Sequence, residues 1–119
     1  MEPKKAERRR GSDERQRIVT VFRSRLRPEA DAHGYSELAR EMEALARSAP
    51  GFVDFKTFAA EDGERVSIIV FESLDEQAAW RHDPDHREAQ RRGRDHFYTA
   101  YSISVSEELR VSSFRAPDG

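Results

Sequence analysis

Nothing in this chain leaves the backbone fewer options than the two β-rich runs at 51–60 (GFVDFKTFAA) and 64–72 (ERVSIIVFE), set on either side of Asp62-Gly63. An Asp-Gly pair suits a tight turn that needs positive φ, and its flanks are rich in Val, Ile and Phe, so the segment predicts an antiparallel hairpin. Alternation puts Phe52 and Phe58 on one face with Val53 and Phe55 on the other, while Val66, Ile68 and Val70 oppose Ile69 and Phe71. Neither face is polar throughout. A sheet containing this hairpin is therefore expected to be covered on both sides.

The remaining elements arrange themselves around that hairpin. Residues 17–26 (RIVTVFRSRL) alternate as a strand, with Ile18, Thr20, Phe22, Ser24 and Leu26 on one side and Val19, Val21, Arg23 and Arg25 on the other, and Pro28 ends it. From about 30 to 48, Tyr35, Leu38, Met42, Leu45 and Ala49 recur every three or four residues, the stripe of one amphipathic helix that Pro50-Gly51 stops. Ser73-Leu74-Asp75-Glu76 reads as a capping box in which the Ser73 side chain takes a free amide and Glu76 reaches back to the Ser73 amide. The short helix that follows carries Gln77 to Arg81 and delivers Trp80 toward the sheet. Asp83-Pro84 then caps a second helix running to about Arg94. Residues 97–106 (FYTAYSISVS) predict a fourth strand, with Phe97, Tyr101, Ile103 and Val105 on one side and Tyr98 on the other. Residues 109–114 (LRVSSF) predict a further short strand.

The order β-α-β-β-α-β specifies an α+β, ferredoxin-like sandwich: an antiparallel sheet with its helices on one face. The opposite face, carrying Val19, Val21 and their hairpin equivalents, needs a cover. The same face of a second copy is the simplest one, so a homodimer is expected, with 109–114 reaching onto the partner's sheet edge.

The chain of 119 residues is read as one domain at 17–115 preceded by a disordered basic tail at 1–16, where Lys4, Lys5, Arg8, Arg9, Arg10 and Arg15 cluster although the whole chain carries a net charge of −2. The tail lacks aromatic residues for stacking and a long uninterrupted charge run, so nucleic acid is not an expected partner. No apolar stretch approaches membrane-spanning length and none follows the basic residues as a signal peptide requires. With no cysteine, disulfides, thiol nucleophiles and zinc-thiolate sites are excluded, and the chain is expected to be cytoplasmic.

Residues able to carry chemistry concentrate at 79–101, which holds the only tryptophan, three of the four histidines and two of the three tyrosines. On the helix begun by Pro84, His86, Ala89, Gln90, Gly93 and Phe97 share a face. A packing face would ordinarily carry Leu or Ile; His and Gln there point to a lined cavity, against the plainer alternative that both are solvated among Arg87, Arg91, Arg92 and Arg94. His82 and His86 are four apart, but Asp83-Pro84 interrupts the helix between them and spacing offers no third ligand, so no metal site is expected. Tyr98 and Tyr101, three apart on a strand, are expected to face opposite ways, and a core role suits Tyr101 better than a catalytic one.

The turn Ser48-Ala49-Pro50-Gly51-Phe52, the hairpin end Val70-Phe71-Glu72, the run from Ala79 to His86 and the run from Gln90 to Tyr98 together resemble the antibiotic biosynthesis monooxygenase family of the dimeric α+β barrel superfamily, over about residues 17–106. The resemblance implies homodimers whose sheets pack face to face, each protomer holding a pocket between sheet and helices. It also implies oxidation of a small aromatic or quinol-like substrate by oxygen with no cofactor, because an ionised phenol is electron-rich enough to reduce oxygen once bound and oriented. By position, Trp80 becomes a pocket wall. His86 stands six residues later, where polyketide-oxidising members have a phenolic side chain, and becomes the candidate catalytic acid or base. Gln90, Phe22, Tyr101 and Arg94 complete the expected substrate contacts, Arg94 as an anchor for an anionic group. Those members also use an asparagine, and this chain contains none. Haem-degrading relatives need a histidine where Gln90 stands, which disfavours that activity. The alternative of a different class is a non-catalytic dimeric barrel that binds a small hydrophobic ligand.

Overall fold

Strand β1 (Ile18–Leu26) sits inside the sheet, antiparallel to β3 (Arg65–Phe71) on one side and to β4 (Tyr98–Glu107) on the other. Strand β2 (Phe52–Ala59) pairs with β3 through the hairpin, so the sheet order is β2-β3-β1-β4. The computed structural model describes residues 16–117, and the expected basic tail falls, but for Gln16, outside the described residues. Helices α1 (Tyr35–Arg47), α2 (Leu74–Arg81) and α3 (Pro84–Arg92), followed by a π-helical turn at Gly93–Phe97, complete the α+β ferredoxin-like fold. Among the described residues no helix is long and apolar enough to cross a membrane.

Register across the sheet sorts the strand residues into two faces. On the helical side one row reads Phe52, Phe71, Ile18, the next Phe55, Ile69, Thr20, then Thr57, Ser67, Phe22, Ile103, and last Ala59, Arg65, Ser24, Tyr101. Against the first two rows pack Ala46 from α1 and Trp80 from α2, with Leu45 and Ala49 beside them, to make the core. Burial of a side chain such as Phe71, which is wholly enclosed, contributes about 2–3 kcal/mol. The rows change from apolar to polar toward Arg65, and the core gives way to open space in the same direction. On the other side of the sheet Val19, Val21, Val66, Ile68 and Val70 are half-exposed, with no element of the described chain laid over them.

Four expectations need correction. The helix expected over 30–48 is two pieces: a 3-10 turn at Asp31–His33, then α1. Between them Gly34 takes φ 92°, a left-handed conformation that cannot continue a right-handed helix. Phe52 and Phe55 were expected on opposite faces, yet both pack on the helical side, because a bulge between Phe52 and Asp54 inserts one residue and reverses the alternation. The same device acts on Tyr98 and Tyr101: Ser24 pairs with Tyr101 and Leu26 with Tyr98, a register shift that turns both tyrosines to the helical side. Finally, 109–114 forms no strand, and Leu109, Val111 and Phe114 are exposed at 74%, 64% and 87%. A strand exists only through pairing, and one copy of the chain offers this segment no neighbour.

Candidate functional site

Helix α2 begins at Ser73, whose hydroxyl accepts from the Glu76 amide at 3.2 Å. The reciprocal half of the box differs from expectation, since the Glu76 carboxylate accepts from the Ser73 hydroxyl at 3.1 Å instead of from the Ser73 amide. With its start fixed, the helix turns Gln77 and Trp80, three apart, onto one inward face. Gln77 is completely buried and donates from Nε2 to Thr20 Oγ1 at 3.2 Å, while its Oε1 has no partner. Trp80 lies against Phe71, ring centroids 5.3 Å apart, and its indole Nε1 is likewise buried without a partner.

The second helix starts as its sequence dictates. Asp83 Oδ1 accepts from the Asp85 amide at 2.8 Å, and Pro84 occupies the first helical position, where the missing N–H costs nothing. His86 in that first turn swings back over Trp80, ring centroids 4.4 Å apart, with Nδ1 buried and unpartnered. Burial pushes the His86 imidazole below its ordinary range, against the opposing pull of the Arg81 carbonyl and the Asp83 carboxylate, so the ring is neutral at neutral pH.

These side chains face a cavity of about 270 Å³ between helices and sheet. Trp80, His86, Gln90, Phe22 and Tyr101 all line it. Arg94 does not; it is exposed and donates to the Tyr101 hydroxyl at 3.2 Å, so it touches the cavity only through that phenol. His82 is exposed, whereas His86 turns inward.

The far end of the cavity is aromatic. Tyr98 sits edge-on to Phe22 at 5.5 Å, to Tyr35 at 6.1 Å and to Tyr101 at 5.6 Å. Gly93 makes room for it: a methyl placed there would come within 2.5 Å of the Tyr98 ring. Burial, with a smaller contribution from Tyr35, pushes the Tyr98 phenol above its ordinary range, so it remains a protonated donor under all ordinary conditions. Arg65 stands over the Tyr35 ring at 6.0 Å, its Nε buried without an acceptor.

Among the lining residues that the sequence reading did not place in the site are Gln77, Thr20 and Arg65. Gln77 carried a usable signal, because it precedes Trp80 by three on the same helix. Thr20 carried a weaker one as a polar residue in an otherwise apolar strand face. For Arg65 there was none, since an arginine at a strand end is ordinarily solvated. What the arrangement offers chemically is an apolar slot with a neutral imidazole, an indole N–H and an amide at one end, and phenols with a guanidinium at the other. Each buried polar atom left unpaired costs about 1–3 kcal/mol, a cost that a ligand bearing oxygens would relieve.

Known proteins share this construction. The chain is 32% identical over 95 residues to the uncharacterised protein YqjZ of Bacillus subtilis (strain 168), a match covering 80% of this chain and 82% of that one. Among solved structures, Rv0793 from Mycobacterium tuberculosis superposes with a TM-score of 0.71 at 18% identity, over 82% of this chain and 99% of that one. SnoaB, a cofactor-independent oxygenase from Streptomyces nogalater, does so with a TM-score of 0.64 at 16% identity, over 86% of this chain and 98% of that one. At those identities the two structures speak for the fold. The sequence model for antibiotic biosynthesis monooxygenases matches residues 17–92, and with that match the chain belongs to the antibiotic biosynthesis monooxygenase family.

Proposed function

We propose that the protein is a cofactor-independent monooxygenase that oxidises a small phenolic or quinol-like aromatic with oxygen. The observation that carries the reading is the contact of a half-buried, neutral His86 with Trp80 in the wall of an aromatic cavity. A cavity of roughly 150 Å³ holds one benzene ring, so about 270 Å³ suits a substrate of two fused rings.

In this reading His86 accepts the phenolic proton, and the resulting phenolate passes one electron to O2. Superoxide and the aryloxyl radical then combine at the ring carbon para to the oxygen. Cleavage of the O–O bond, with loss of that carbon's hydrogen as a proton, leaves a quinone, and the distal oxygen departs as water with the proton His86 returns. One oxygen atom enters the product and the other the water. Trp80, Gln90, Phe22 and Tyr101 hold the ring plane, and the Trp80 N–H donates to the reacting oxygen once the phenol is ionised. Arg94 acts at one remove, by orienting Tyr101.

The half-exposed face bearing Val19, Val21 and Ile68 supports a homodimer closed through the sheets, in which the segment from Leu109 to Phe114 lies on the partner.

The test is oxygen uptake with a panel of naphthols and naphthohydroquinones. The parent is expected to consume oxygen, and His86→Ala to lose at least about a hundredfold in rate with its fold intact. Equal turnover by the two would remove His86 from the mechanism. Ligand-induced stabilisation with no uptake for any member of the panel would favour a non-catalytic binding barrel.

A further inference from the structure

The chain is rich in both signs of charge, and several of its described arginines find carboxylates: Arg17 pairs with Glu72, Arg23 with Glu64, Arg25 with Asp62, Arg47 with Glu43, and Arg91 with Glu88 and Asp95. The arginines facing the cavity are not among these pairs. Arg40, Arg65 and Arg81 line it, and among the described residues no carboxylate forms an ion pair with any of them. The single lining carboxylate, Glu43, is already held by Arg47.

Arg65 occupies a particular place among the three. It stands in the sheet row that runs through Ser24 to Tyr101, facing the helices, and its guanidinium lies over Tyr35 at the aromatic end. Its Nε, like that of Arg81 at the imidazole end, is shut off from water and has no acceptor. The Tyr98 phenol, kept protonated by burial, and the Tyr35 phenol are the neighbouring donors. A guanidinium flanked by neutral phenols, with no acid to balance it, is a set of donors awaiting an anion, and a planar carboxylate matches the fork of an arginine best.

We infer that the ligand is an aromatic acid, its carboxylate held by Arg65 beside Tyr35 and Tyr98 and its opposite, oxygen-bearing edge presented to Gln77, Trp80 and His86. The inference rests on the cavity as the ligand site named above, and it stands apart from whether the bound ring is then oxidised. Arg65 is thereby the residue that selects acids over neutral aromatics.

The experiment is a binding comparison on the whole chain, using 6-hydroxy-2-naphthoic acid, its methyl ester and 2-naphthol at pH 8 and low salt. The readout is the indole N–H resonance of Trp80, the only tryptophan, which reports occupancy without any turnover. The acid is expected to bind about tenfold or more tighter than the ester and 2-naphthol, with the advantage shrinking as salt is raised. Arg65→Gln brings the acid down to the ester's affinity, Arg65→Lys keeps a preference for the acid, and Arg81→Gln leaves the preference in place. Equal binding of acid and ester to the parent overturns the inference while leaving the cavity reading intact. A preference abolished by Arg81→Gln but not by Arg65→Gln also overturns it, by moving the anion to the imidazole end. No binding of any of the three sinks both the inference and the cavity. A preserved acid preference with no oxygen uptake from naphthols that carry a hydrogen para to the hydroxyl, such as 1-naphthol, sinks the oxidation alone.

Discussion

The cavity has two ends made by different means. At the indole end, Gln77, Trp80 and His86 hang from two short helices, and each helix starts where a side-chain cap fixes it, Ser73 for α2 and Asp83 for α3. At the tyrosine end, Tyr35, Tyr98 and Tyr101 come from a helix and a strand, and their rings hold one another edge to face around Tyr98. There the deciding features are a bulge where Leu26 meets Tyr98 and a π-helical turn that brings Gly93 under the ring. The indole end is thus placed by local chemistry and doubles as core. The tyrosine end is placed by irregularities of register and packs on Phe97, outside the main core cluster.

The largest effect should come from breaking the end that does both jobs. Trp80 belongs to the same buried cluster as Ala46, Ile69 and Phe71, so Trp80→Ala is expected to cost about 3–5 kcal/mol, read as a fall in the denaturant midpoint with the slope unchanged. A loss below about 1 kcal/mol would mean that the indole spans empty space and contributes little to the core, and the contrast between the two ends would collapse.

That division explains what could be read in advance. The helix starts at Ser73 and Asp83-Pro84, the Asp62-Gly63 hairpin and the inward turn of His86 all follow from residues within four positions of one another, so the chain itself discloses them. The Tyr98 and Tyr101 pair, and likewise Phe52 and Phe55, could not be placed by counting alternation, because a bulge depends on how two strands meet and adds one residue invisibly to the count. Arg65 was hidden for a related reason. Its place in the row with Ser24 and Tyr101 follows from how the strands meet, which no residue near it discloses. Gln77 is a lining residue that closer attention to helical spacing would have found.

Gly93 tests the tyrosine end directly. Gly93→Ala drives a methyl into the Tyr98 ring, and the ring or the π-helical turn must shift, at a cost of about 1–3 kcal/mol. The decrease in thermal midpoint should therefore be smaller than for Trp80→Ala, while the acid preference of the cavity is lost. If the two ends are independent, the indole resonance of Trp80 stays near its parent position. A shift as large as that produced by His86→Gln would show that the ends move as one body.

The smallest effect separates the ends by the sign of their response to pH. Burial lowers the His86 pKa from an ordinary 6.5, so in acid the unfolded chain takes up a proton that the folded chain resists. The stability His86 permits is complete above pH 6.5 and declines as pH falls through that value toward the folded-state pKa, with a slope of at most about 1.4 kcal/mol per pH unit. Tyr98 behaves in mirror image. Its pKa is raised from 10.0, so its contribution is complete below pH 10 and declines as pH rises beyond it, where the unfolded phenol ionises first. Denaturation midpoints measured across pH for the parent, His86→Gln and Tyr98→Phe should then show the acid-side decline flattened only in the first variant and the alkaline-side decline only in the second. His33, His82 and His96 are present in every one of these chains, so the differences isolate the substituted group. An acid limb unchanged by His86→Gln would place that imidazole in water. The indole end would then have lost its base, and the cavity would keep only the phenols and Arg65 to recognise a ligand.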